Sequence, residues 1–135
     1  MNRAINFLML TMMLGLLGYF LYGEGWIFSD FKNVSPQEAG YLIENDKNIT
    51  LIDVRSRAMY KKDFIAGAIN IPMTLKEHSL ARFDTYKKTT LLLYSERDDK
   101  SMEIARLLTP KGFKILVLKG GVVFWIRYGY VVTRP

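Results

Sequence analysis

Seven consecutive residues, Ser95-Glu96-Arg97-Asp98-Asp99-Lys100-Ser101, put a hydroxyl at the end of the apolar run Thr90 to Tyr94 and five charged side chains between it and a second hydroxyl. A reactive group at the corner where a strand hands over to a helix has a physical advantage, because unpaired amides at the helix N-terminus can hold an anion beside it. A serine placed there needs an adjacent base, since its hydroxyl starts from a far higher pKa than a thiol. The chain has no cysteine, which excludes disulfides, thiolate metal sites and thiol nucleophiles. It has one histidine, His78, ahead of Ala81-Arg82-Phe83 and tied to the loop by no motif. A His-based metal cluster or a Ser-His-Asp triad is therefore disfavoured, and His78 is read as a surface residue. Asp98 and Asp99, as exposed carboxylates, are poorly matched to deprotonating a serine. Neither a metal nor a cofactor is expected.

The loop charge points the same way. Glu96, Asp98 and Asp99 outnumber Arg97 and Lys100, so the loop carries −1, the wrong sign for an anion cradle. The whole chain of 135 residues carries +6, but its basic residues (Lys61-Lys62, Lys87-Lys88, Lys111, Lys114, Lys119) are spread among acids. That pattern reads as a solvated surface, and no nucleic-acid partner is expected.

The elements that must position the loop are a strand before it and a helix after it. Thr90 to Tyr94 is nearly all apolar, as a central strand covered on both faces is, and Lys114 to Leu118 (KILVL) is similar. Thr50 to Val54 is a β-rich run, and Ala68-Ile69-Asn70-Ile71-Pro72 is another, ended by its proline. Ser35-Pro36-Gln37-Glu38 is a helix start, with a capping serine and proline at the first helical position. Met102, Ala105 and Leu108 recur at helical spacing, and Gly112 punctuates the end of that segment. Strands separated by helices predict an α/β domain with a parallel sheet covered on both faces.

The first residues form a separate unit. Ala4 to Tyr22 runs 19 residues without a charge. As a helix this covers about 28 Å, close to the hydrocarbon thickness of a bilayer. Tyr19, Tyr22, Trp26 and Phe28 fall where an interfacial aromatic belt would sit. The rival reading, a cleaved signal peptide, has only Gly23-Glu24-Gly25 under a bulky Tyr22 as its cleavage site, a poor match. The expectation is a single-pass anchor and linker over 1–32 and a soluble domain over 33–135. Arg3 and the amino terminus bias the domain toward the extracytoplasmic side. Thr11, Gly15 and Gly18 share one helix face, a stripe of small residues that could pack on another membrane helix.

Four segments carry a resemblance: LIDVR (Leu51 to Arg55), AGAINIP (Ala66 to Pro72), LLLYS with its six-residue loop, and VLKGGVVFWIRYGYVV (Val117 to Val132). In order and spacing they resemble a rhodanese-like domain over about Asn33 to Arg134. The resemblance implies a doubly wound, five-stranded parallel sheet preceded here by the single transmembrane helix. It also implies a catalytic loop of the form C-x-x-G-x-R-S, in which a cysteine carries sulfane sulfur as a persulfide. Ser95 stands at the cysteine position, Asp98 at the glycine, Lys100 at the arginine and Ser101 at the serine. The loop length is kept, yet a hydroxyl cannot form an S–S bond. At the glycine position a left-handed backbone would cost an aspartate. Asp63-Phe64-Ile65-Ala66-Gly67-Ala68 also departs from the family's G-H-I-x-G-A, with Phe64 for histidine. Asp53 and Arg55 match the family's structural pair that braces a loop, and Trp125, after Gly120-Gly121, reads as a core aromatic.

Two classes of function follow. The first is a catalytically inactive, membrane-held binding or scaffolding module with a protein partner, extending to a small subunit of a membrane complex. The alternative is a small-anion binder or atypical enzyme that uses Ser95.

Overall fold

The computed structural model describes residues 2–23, 31–73 and 80–135. His78, Trp26, Phe28 and the cleavage motif from Glu24 onward lie outside the described residues. The first helix, α1 (Arg3–Gly23), is long and apolar enough to cross a bilayer: Arg3–Leu21 has a mean hydropathy of 1.9 and none of it is buried. Those properties fit either a membrane anchor or a signal sequence. On its small-residue face, the Thr11 hydroxyl donates back to the Leu8 carbonyl.

Five strands follow: β1 (Lys32–Val34), β2 (Ile49–Asp53), β3 (Ile69–Asn70), β4 (Thr90–Tyr94) and β5 (Lys114–Leu118). They form one all-parallel sheet in the order β1-β5-β4-β2-β3, which makes β4 the central strand. The helices between them are α2 (Pro36–Asn45), α3 (Arg57–Lys62), α4 (Asp99–Leu108) and α5 (Gly121–Arg127), with 3₁₀ turns at Ala81–Tyr86 and Thr109–Lys111. The expected α/β class and five-stranded parallel sheet are what the chain adopts.

Side chains that alternate along β4 explain its unbroken apolar run. Leu91 and Leu93 enter one core with Ile52, Phe83, Ile104 and Val117. Leu92 and Tyr94 enter a second core with Val34, Leu51, Ile65 and Trp125. A strand with a core on each side has no polar face to show. At the start of α2 the Ser35 hydroxyl accepts the Glu38 amide at 3.1 Å, as its cap signature predicts. Trp125 is buried, stacks on Tyr130 and donates its indole N–H to the Val131 carbonyl.

Two boundaries differ from the sequence reading. Lys32, read as the end of the linker, and Asn33, read as the first residue of the domain, pair with Leu116 and Val117 as an edge strand too short to announce itself by pattern. Of the run Ala68 to Pro72, only Ile69 and Asn70 pair with β2. Past them, Ile71 donates its amide to the Asp53 carbonyl and Pro72 has no amide to give.

Candidate functional site

Ser95 is the first residue after β4, and α4 begins at Asp99. The serine is buried and its hydroxyl donates to the carbonyl of Arg97, two residues on. Its other neighbour is the hydroxyl of Ser101 at 3.4 Å, which itself donates to the Asp98 carbonyl at 2.9 Å. Ser95 therefore meets a carbonyl and a second hydroxyl, neither of which takes up a proton near neutral pH.

The loop carbonyls are held by the far side of the sheet. Gly120 and Gly121, at φ 74° and 61°, turn the chain sharply from β5 into α5. The Val122 and Val123 amides then donate to the carbonyls of Ser95 (3.0 Å) and Glu96 (3.2 Å), and the Gly120 amide donates to the Asp98 carboxylate at 3.3 Å. Loop oxygens thus satisfy amides at the start of α5 that the helix cannot satisfy itself. A Cβ on Gly121 would lie 2.5, 2.6 and 2.7 Å from the carbonyl oxygens of Ser95, Glu96 and Arg97, so only glycine admits this approach.

Asp98 needs a correction. Its backbone lies in the right-handed region, φ −94° and ψ −16°, and no residue other than glycine has positive φ among the described residues. The loop accepts aspartate without left-handed strain, because glycine's freedom is used at Gly120 and Gly121 instead. What aspartate adds is a carboxylate that fastens the loop to the Gly120 amide.

Beneath the loop lies an ion-pair cluster. Arg55, buried at the end of β2, grips Asp53 through Nε (3.0 and 3.1 Å) and Nη2 (2.8 Å). The same guanidinium reaches the Asp63 carboxylate (3.1 Å) and carbonyl (2.6 Å), and at 3.4 Å the Glu96 carboxylate of the loop. Burial alone would lower its pKa, but hydrogen bonding and charge from Asp53, with Asp63, outweigh burial and raise it. Tyr94 sits against this cluster with its ring 5.7 Å from the guanidinium, and its hydroxyl accepts the Ile65 amide at 3.1 Å. Burial first, then the Asp53 charge, pushes its phenol up.

The structure thus brings Ser95, Glu96, Asp98 and Ser101 together with Asp53 and Arg55. Arg97, Asp99 and Lys100 are exposed on the loop's outer side. Phe64, at the histidine position, stacks on Tyr60 and pairs its backbone with Thr133. Sequence reasoning missed three contributors: Asp63, Tyr94 and Gly121. A double glycine straight after a strand was the available signal for the last; Asp63 and Tyr94 sit in segments whose pattern speaks only of turn and core.

A small parallel α/β domain whose polar loop leaves the central strand's C-terminal end is the class that fold and site define. The family model described as the rhodanese-like domain matches residues 35–128, and the chain belongs to that family. Over 108 residues it is 31% identical to the uncharacterized protein YibN of Escherichia coli (strain K12), covering 78% of this chain and 75% of that protein. It is 23% identical over 103 residues to a sulfurtransferase of Allochromatium vinosum, covering 76% of this chain and 94% of that one. Among solved structures, the rhodanese-like domain of the Anabaena sp. Alr3790 protein superposes with a TM-score of 0.67 at 24% identity, covering 76% of this chain and 79% of that chain. That last likeness is one of fold.

Proposed function

We propose that this chain is a membrane-anchored rhodanese-like domain without sulfurtransferase activity, which works as a protein-binding or scaffolding module within a membrane assembly. The observation that carries the reading is the Ser95 hydroxyl turned onto the Arg97 carbonyl, at the position where the family's chemistry needs a thiolate surrounded by amides. Loop oxygens engage the start of α5, so the loop is fastened by its acceptors and presents Arg97, Asp99 and Lys100 outward. An exposed, charged loop of fixed shape suits recognition of a protein with complementary charge. A photo-crosslinking residue at Arg97 in the full chain, activated in native membranes, tests this. One discrete protein adduct that disappears with Asp99→Lys and Lys100→Glu is expected. No adduct from any loop position, with the domain folded, contradicts the binding reading.

A further inference from the structure

Ile49, Thr90 and Lys114, the first residues of the three central strands, lie side by side in register. Because the sheet is parallel, the segments leading into these strands gather at one end of the domain. Counting each strand's first residue and the four before it, these lead-ins hold Lys47, Lys87, Lys88, Lys111 and Lys114 against one carboxylate, Asp46. All five lysines are exposed, and Asp46 is engaged by the Asn48 amide at 2.8 Å. Further from the strand starts, Glu44 and Asp84 add carboxylates and Arg106 a cation. The matching exits at the opposite end are nearly balanced, with Arg55, Arg57, Arg97 and Lys119 against Asp53, Glu96 and Asp98.

The chain also enters the domain at the lysine end. Phe31 packs against the core that contains Phe113 and Ile115, and with Thr90, Phe113 and Lys114 it lines a groove of about 610 Å³ there. Only the eight residues from Glu24 to Phe31 separate α1 from β1. Fully extended they reach about 29 Å at most, so a membrane holding α1 stays within reach of this end.

We propose that the lysine-bearing end of the sheet docks on anionic lipid headgroups of the membrane that holds α1. The Ser95 loop, about 16 Å away along the strands, then faces the aqueous side, open to a partner. The inference rests on α1 being retained as the anchor. Lysines close to an anionic surface are attracted within a screening length, and the short tether keeps them there, an advantage that a freely diffusing acidic protein lacks.

The native chain has no cysteine, so single labels report cleanly. The full chain with a donor dye at Asn48→Cys or at Lys119→Cys, both exposed positions at opposite ends, is reconstituted into vesicles bearing acceptor lipid. With phosphatidylglycerol mixed into phosphatidylcholine, energy transfer from position 48 is expected to exceed that from position 119. The difference is expected to be lost in phosphatidylcholine alone, at high salt, and in a variant combining K87Q, K88Q, K111Q and K114Q. Transfer from position 48 that ignores lipid charge and salt overturns the docking. A chain that washes off neutral vesicles in alkaline carbonate overturns the anchor reading and the docking with it, a distinguishable failure.

Discussion

Tyr94 shows how far one side chain depends on the polar cluster beneath the loop. Its phenol lies above the ordinary value of 10.0, chiefly because of burial and then because of the Asp53 charge. Above that pH the unfolded chain gives up the phenolic proton while the folded chain keeps it, so folding takes up a proton. The contribution to stability is whole below pH 10.0 and is lost as pH rises beyond it, by up to about 1.4 kcal/mol per pH unit. Tyr94→Phe removes this group. The variant is expected to be less stable at neutral pH, by about 1–3 kcal/mol, since the buried Ile65 amide loses its acceptor. Its stability should then fall less steeply than the parent's between about pH 9 and about pH 11. Urea melts of the full chain in detergent measure both slopes, and equal slopes would sink the assignment. At the same scale, Asp98 carries a lesson about substitution: its carboxylate acts through the Gly120 amide, so Asp98→Gly relieves charge but frees no strained backbone.

At the scale of elements, the loop and α5 hold each other. α4 follows the loop in sequence and was legible from its apolar spacing, whereas α5 approaches across the sheet, which no local pattern records. The three five-residue strands, β2, β4 and β5, the place of β3 and the start of α2 were legible because period and caps are local signals. β1 escaped notice because three residues at a sheet edge are defined by their partner, β5, not by their own composition. The Ser95 loop was legible as a candidate site by its place in the order of segments; its inward-turned hydroxyl and the right-handed Asp98 were not, because neither has a local sequence pattern. Gly121→Ala tests that joint. A Cβ there meets three carbonyl oxygens at under 3 Å on a left-handed backbone, so a loss of about 2 kcal/mol or more is expected in thermal or urea melts. A change within about 0.5 kcal/mol would mean that loop and α5 are not locked together.

At the scale of the molecule, the parallel sheet separates two ends. Its strand starts lie toward the end from which the chain leads back to α1, and its strand exits carry the Ser95 loop. If the loop had lost only its nucleophile, restoring a thiol would restore sulfur transfer. The structure argues against that outcome: a thiol at position 95 would be buried and would face the Arg97 carbonyl, and both oppose the thiolate. The N-terminus of α4 favours a thiolate by about 1 kcal/mol, too little to offset burial beside a carbonyl. The most direct measurement is therefore thiocyanate formation from thiosulfate and cyanide by the full chain carrying Ser95→Cys, in detergent and beside the unmodified chain. Turnover of the cysteine variant at or barely above that of the unmodified chain is the predicted result. Robust turnover from that single substitution would contradict the account, because it would show a working anion cradle in which only the sulfur was missing.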